Sequence, residues 1–169
     1  MIRGECAGPE RATMPRTRSA GVLLFQEVSG DLEVLLVHPG GPFWAKKDDG
    51  AWSIPKGELE DGEDPLEAAK REFREETGSL LPVGEIVPLD PVRQPGGKIV
   101  HAWAVKGKLD VAALKSNMFA MQWPPKSGKR REFPEVDRAA WFPLKIAKRK
   151  IVKGQVPLLT QFEAHFGRR

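Results

Sequence analysis

The chain has 169 residues, 40% of them hydrophobic and 30% charged, with a formal net charge of +4; this length suits one compact domain, and this composition excludes a disordered or fibrous chain. No apolar stretch reaches the roughly 18–20 residues of a membrane-spanning helix, and Cys6 is the only cysteine, which excludes an intrachain disulfide and a cysteine-based zinc site. A cytoplasmic protein without a membrane partner is the expectation, and its oligomeric state is not written in these features.

Residues 1–16 are rich in Gly, Pro and Arg without periodicity and read as a flexible arm, with Met14 as a second candidate start, leaving 17–169 as the folded domain. SAGVLLFQEV and LEVLLVHP are β-rich runs around Ser29-Gly30-Asp31, a hairpin signal. GGPFWAKKDDGAW is a Gly/Pro loop that carries aromatics and runs into WSIP, a loop well placed for function. Asp64-Pro65-Leu66-Glu67 predicts a helix start, with Asp64 as N-cap, Pro65 at the first helical position and Glu67 at the third. Gly78 ends that helix, and Leu66, Ala69 and Phe73 give it an apolar stripe. Beyond it, VGEIVPL, KIVHAWAVKG and SNMFAMQW read as strands, with Met118 and Met121 filling strand faces or the core. PPKSGKRREFPEVD reads as a basic loop, RAAWFPL as a late strand, and PLKIAKRKIV and QVPLLTQFEAHF as helices interrupted at Gly154. Strands gathered around one central helix, with helices again at the end, predict an α/β or α+β domain with a mixed sheet.

Charge is unevenly placed. From Gly57 to Glu76 nine acids face three bases, and from Lys126 to Lys153 ten bases face three acids. An acidic centre beside a basic third suits a divalent cation held near a polyanionic ligand, although two solvated faces of opposite sign account for the same pattern. Glu72, Glu75 and Glu76 share one helix face at i, i+3 and i+4. Their mutual repulsion costs a few tenths of a kcal/mol per pair, about the size of an ordinary helix-surface pair. Such all-oxygen clusters suit Mg²⁺, or Mn²⁺ as a substitute.

The larger pattern decides between a metal site and a solvated acidic face. Gly57, five residues, Glu63, seven residues, then Arg71-Glu72-Phe73-Arg74-Glu75-Glu76-Thr77-Gly78 resembles the signature of the Nudix hydrolases, G-x5-E-x7-R-E-U-x-E-E-x-G-U, in which U is a bulky apolar residue. The seven fixed identities would coincide by chance on the order of once in a million chains of this size. Ser79 departs from the final U position and is followed by Leu80 and Leu81. The resemblance implies a Nudix-like α/β/α sandwich with a mixed β-sheet. It also implies Mg²⁺ held by Glu72, Glu75, Glu76 and the Gly57 carbonyl, and a Glu63–Arg71 ion pair that braces loop against helix. The implied activity is hydrolysis of a pyrophosphate bond in a nucleoside diphosphate linked to another moiety. The group that deprotonates water varies within the family; Glu132 and Glu135 lie in the later basic loop, and Glu132 is the preferred candidate.

Pro55-Lys56-Gly57 with Glu60, Gly62 and Glu63 resembles the Nudix subset that handles dinucleoside polyphosphates and diphosphoinositol polyphosphates, with Lys56 as a point charge on a polyphosphate oxygen. Trp44 or Phe43 is the candidate to stack a base, and Trp52 the candidate for the core. Arg18 and Arg93 are candidate phosphate clamps. His38, His101 and His165 form no metal or triad pattern and read as structural. The expected substrate is a dinucleoside polyphosphate such as diadenosine tetraphosphate. The alternatives are a nucleoside triphosphate pyrophosphohydrolase that clears damaged nucleotides, and a non-catalytic module binding a nucleotide or RNA. RNA is the less favoured partner, because solubility explains the basic stretches as well.

Overall fold

The computed structural model describes residues 17–167; the expected arm at 1–16, with Cys6 and Met14, lies outside them. Strands β1 (Arg18–Val28) and β2 (Asp31–Pro39) pair antiparallel as a hairpin. Ser29 and Gly30 connect them with φ of 52° and 86°, the doubly left-handed geometry whose twist matches the flanking strands. β3 (Lys56–Glu58) adds antiparallel to the start of β1, where WSIP leads into it through isolated bridges at Trp52 and Ser53.

Helix α1 (Pro65–Thr77) begins where the sequence predicts. Asp64 accepts the Glu67 N–H at 3.1 Å, and Gly78 closes the helix in the left-handed conformation at φ 79°. Its buried apolar face is Ala68, Ala69 and Phe73, with Leu66 only half-buried. β4 (Ile86–Pro88) and β5 (Val92–Arg93) are short, and both pair antiparallel with β6 (Ile99–Lys106). β6 lies parallel to β1 across eight residue pairs, which makes the sheet mixed. β7 (Met118–Gln122), β8 (Arg130–Pro134) and β9 (Val136–Pro143) follow, then α2 (Leu144–Lys150) and α3 (Val156–Phe166).

The main sheet runs β4-β6-β1-β2-β9, with β3 and β5 attached to β1 and β6. Ala20, Val22 and Leu24 of β1 face α1, whereas Leu23 and Phe25 face Ala147, Leu158 and Phe162 of the C-terminal helices. The strand is therefore apolar on both faces, which is why GVLLF is a continuous run and not an alternation. The fold is an α/β/α sandwich with a mixed β-sheet. Among the described residues no helix is long and apolar enough to cross a membrane.

One expectation needs correction. The segment 124–137 is not a basic loop throughout: β8 lies inside it and pairs with β7 as a separate two-stranded ribbon, so Glu132 is a strand residue opposite Ala120. Of the two places expected for Met118 it takes a strand face and not the core: it is 52% exposed on β7, in a ribbon separate from the main sheet. Trp52, by contrast, is buried at 4% exposure against Phe142 and His38. His38 is fully buried; its Nε2 donates to the Lys47 carbonyl at 2.6 Å and its Nδ1 meets Asp137 Oδ1 at 2.9 Å. It ties loop 40–51 to the edge of the sheet, a structural role.

Candidate active site

The site is assembled on α1. Arg71 projects from its second turn and is saturated by acceptors: Nε and Nη2 donate to the two Glu63 oxygens at 2.8 Å each. Nη1 donates to Glu72 Oε2 at 2.8 Å and to Glu75 Oε2 at 3.3 Å, and Nη2 also reaches the Glu58 carbonyl at 3.2 Å. The planar guanidinium matches the Glu63 carboxylate edge to edge, a two-bond geometry that a lysine cannot supply. The Arg71 bonds, helped by the Glu60 N–H, hold the Glu63 carboxyl down at about 2. Loop 58–63 is thereby pinned to the helix.

Glu72 faces inward, and its carboxylate covers Gly57 so closely that a Cβ at position 57 would overlap it. Only glycine lets β3 pass beneath this carboxylate. Glu76 accepts the Lys56 N–H at 3.2 Å. Burial pushes its carboxyl up to about 8; the neighbouring Glu72 and Glu135 charges add to that, and Lys56 opposes it. Glu72 and Glu135 are also raised, in both cases by burial first and then by the Glu75 charge; Arg71 opposes the rise at Glu72. The Lys56 ammonium is pushed below its ordinary value, by burial first and then by Lys98, against the pull of Glu76, Glu72 and Glu58. Burial is the leading cause at all three carboxyls, and repulsion among them adds to it.

Glu135, and not Glu132, stands beside the acidic face. A short chain of backbone bonds holds it there: Asn117 N–H donates to the Glu75 carbonyl at 2.9 Å, and Glu135 N–H donates to the Asn117 carbonyl at 2.8 Å. Gly40 N–H then donates to the Glu135 carbonyl at 3.0 Å, joining the aromatic loop to the same point. Glu132 is exposed on the ribbon.

A cleft of about 190 Å³ opens between these groups, lined by Trp44, Lys56, Glu76 and Glu135 together with Val37, Ala51 and Gln155. Trp44 is 39% exposed, with Lys47 Nζ 5.3 Å from its ring centroid. Phe43 turns away from the cleft, its ring edge-on to Trp123 at 5.4 Å. Arg18 is likewise outside it, with Nε and Nη2 at 3.3 and 3.2 Å from His101 Nε2. Arg93 is exposed on β5, one residue before Gln94, which does line the cleft. The sequence reading passed over Gln94 and Gln155; two glutamines 61 residues apart carry no spacing signal.

Whether the residues fit a divalent cation turns on their chemistry. The donor set is entirely oxygen, which suits a hard cation, and burial raises the Glu72 and Glu76 carboxyls, so their ionised forms are disfavoured as they stand and a divalent cation would favour them. As the side chains stand, no three His, Cys, Asp or Glu among the described residues close around one ion. Arg71 Nη1 engages only one oxygen of Glu72 and one of Glu75, so ligation requires rotation of the glutamate side chains toward one point and not loss of the Arg71 bonds. With that adjustment the residues fit.

A NUDIX domain family model matches residues 15–162. The chain belongs to the Nudix family. Among curated relatives it is similar to an 8-oxo-(d)GTP phosphatase of Mycolicibacterium smegmatis, 30% identical over 142 residues that cover 77% of this chain and 36% of that protein. It is also similar to an RNA pyrophosphohydrolase of Azorhizobium caulinodans, 34% identical over 93 residues covering 54% of this chain and 47% of the other. The chain spans less than half the length of these curated relatives. In fold it resembles a Caenorhabditis elegans Ap4A hydrolase solved as a binary complex, with a TM-score of 0.60 and 24% identity over 89% of this chain and 98% of that one. The NUDIX domain of Shewanella oneidensis NrtR, solved with ADP ribose, gives a TM-score of 0.63 and 19% identity over 91% of this chain and 90% of that one. Nudix hydrolases generally use divalent cations.

Proposed function

We propose that this Nudix protein hydrolyses a pyrophosphate bond in a nucleoside diphosphate linked to another moiety, with dinucleoside polyphosphates as the first substrate class. The observation that carries the reading is the meeting, in one cleft, of Glu76 from the acidic face of α1 with Glu135, Lys56 and an exposed Trp44. A divalent cation, Mg²⁺ or Mn²⁺ in its place, held by Glu72, Glu75, Glu76 and the Gly57 carbonyl, would neutralise diphosphate oxygens and ease loss of a proton from water. Glu135 is the residue that takes a proton from the attacking water, displacing Glu132 from that role because Glu135 lies at the cleft and Glu132 on the outer ribbon. The water oxygen bonds to phosphorus as the anhydride P–O bond breaks, and each product keeps a phosphate. Lys56 offers a point charge to a polyphosphate oxygen, and Trp44 stacks the base. Phe43, Arg18 and Arg93 stand outside this set.

A nucleoside triphosphate is the second reading, favoured by the similarity to the 8-oxo-(d)GTP phosphatase across 77% of the chain. The non-catalytic alternative is disfavoured by the presence of all three box glutamates. A cytoplasmic setting, where nucleotide substrates are found, goes with either enzymatic reading.

The experiment is a hydrolysis screen with Mg²⁺ against diadenosine and diguanosine tetraphosphate, nucleoside triphosphates and their oxidised forms, ADP-ribose, a diphosphoinositol polyphosphate and 5′-capped RNA. Cleavage of a nucleotide substrate supports the proposal; no cleavage, with binding retained, turns it to the non-catalytic module. Lys56→Ala separates the substrate classes. Its kcat/KM falls by about tenfold on tetraphosphates, the loss of one charge-assisted contact, and by less on ADP-ribose. Equal losses on both contradict a polyphosphate role for Lys56.

A further inference from the structure

Gln155 is wholly buried, and its amide orientation is set by a group that can only donate. The Ile54 N–H meets Gln155 Oε1 at 3.1 Å. Nε2 therefore points the other way, donating to Ser53 Oγ at 3.0 Å and to Gln94 Oε1 at 2.9 Å. The Ser53 hydroxyl spends its proton on the Ile54 carbonyl at 2.7 Å, so its oxygen is the acceptor that Gln155 needs. Every donor of Gln155 is used, and Gln94 must present its oxygen to Gln155. What remains is the Gln94 NH₂ group, which has no partner among the described residues, on a side chain that lines the cleft with Trp44 and Lys56.

Backbone packing holds Gln94 in place. Its own turn is closed by Gln94 N–H to the Lys98 carbonyl at 2.7 Å and by Gly97 N–H to the Gln94 carbonyl at 3.0 Å. Gly154 lies against it so closely that a Cβ there would come within 2.9 Å of Gln94 Cγ and 3.0 Å of Gln94 Cα. A glycine packed on one side and a buried amide bonded on the other leave the Gln94 head group little freedom to reverse. Reversal would set two NH₂ groups against each other, since Gln155 cannot turn without abandoning Ile54.

We propose that Gln94 is a specificity-determining residue that donates from Nε2 to acceptor atoms of a nucleobase in this cleft, selecting guanine-type keto bases over adenine. The inference rests on the nucleotide reading above and names the base. A glutamine usually reads adenine with both halves of its amide, oxygen to the N6 amino group and nitrogen to N7. Here the oxygen is held by the Gln155 donor and keeps one lone pair, whereas both NH₂ protons have no partner among the described residues, so the amide meets the ligand first as a donor. Guanine offers O6 and N7, two acceptors side by side, whereas adenine sets an amino group against the Gln94 NH₂.

The test compares diguanosine with diadenosine tetraphosphate, and GTP with ATP, by kcat/KM and by equilibrium binding, for the wild type, Gln94→Leu and Gln94→Glu. The wild type favours the guanine member of each pair by on the order of tenfold to a hundredfold, the range of one good base-edge contact. In Gln94→Leu the ratio falls to within about twofold of unity. In Gln94→Glu one carboxylate oxygen still accepts from Gln155 while the other becomes an acceptor toward the base, and the preference inverts toward adenine. Hydrolysis that ignores the base, or ratios unchanged in both folded variants, overturns the assignment and leaves the hydrolase reading intact. Guanine-selective binding without hydrolysis does the reverse, and no nucleotide binding at all overturns both.

Discussion

Glu76→Gln is expected to abolish most turnover while leaving the fold as it is, with kcat lower by on the order of 10²–10³-fold, the scale seen when one preorganised electrostatic group is removed from a phosphoryl- or acyl-transfer site. The glutamine oxygen can still accept the Lys56 N–H, so the β3 contact to the helix survives. In the absence of metal the variant should be at least as stable as the wild type near neutral pH. Burial raises the Glu76 carboxyl to about 8 in the fold, so above its unfolded value the unfolded chain binds fewer protons than the folded one and stability falls as pH rises; a neutral amide has no such cost. A thermal melt in EDTA beside a steady-state assay in Mg²⁺ separates the two effects. Undiminished turnover shows that Glu76 does not serve the reaction, and a collapsed melt shows that it serves the fold.

Arg71→Ala is expected to damage stability and activity together. Removing the guanidinium leaves Glu63, Glu72 and Glu75 without their shared cation, and loop 58–63 without its tie to α1. Breaking a fully buried pair costs about 3–5 kcal/mol; with the Arg71 side chain 20% exposed, about 2 kcal/mol is the expected loss. In a domain of this size that lowers Tm by roughly 4–8 °C. The pH dependence has a definite sign. The folded Glu63 carboxyl lies at about 2, below its unfolded value, so its stabilisation is complete above the unfolded pKa and is lost as pH falls toward about 2. The gap between wild type and variant is therefore full at pH 7 and narrows below about pH 4. Melts from pH 7 down to pH 3 check this; a gap that widens with acid contradicts the ion-pair account.

Local physics made much of the fold readable in the sequence. Asp64, Pro65 and Gly78 mark the ends of α1 because capping and left-handed termination are properties of a few adjacent residues. The β1–β2 hairpin is equally local, set by two left-handed residues between apolar runs. The Glu63–Arg71 pair was legible through the motif, since its spacing belongs to a loop and helix of fixed length. The ribbon was less so: Arg130, Arg131 and Glu132 have the composition of a solvated loop, and they are a strand only because β7 offers them a partner. The same non-local pairing puts Glu135, and not Glu132, at the cleft. Their places depend on where β8 ends and on the Asn117 bridge to α1, neither of which leaves a mark on the residues themselves. Gln94 and Gln155 were invisible for the same reason, their relation existing only through the buried Ile54 N–H.

The most direct measurement is the rate of pyrophosphate-bond hydrolysis, on the best substrate of the nucleotide panel, as free Mg²⁺ is raised from an EDTA-cleared baseline. A saturable rise from a negligible rate, restored in part by Mn²⁺ and absent in Glu76→Gln, is what the carboxylate face of α1 predicts. Hydrolysis that proceeds equally in EDTA, or that needs Mg²⁺ but is unaffected by Glu76→Gln, would contradict the assignment of the chemistry to that face.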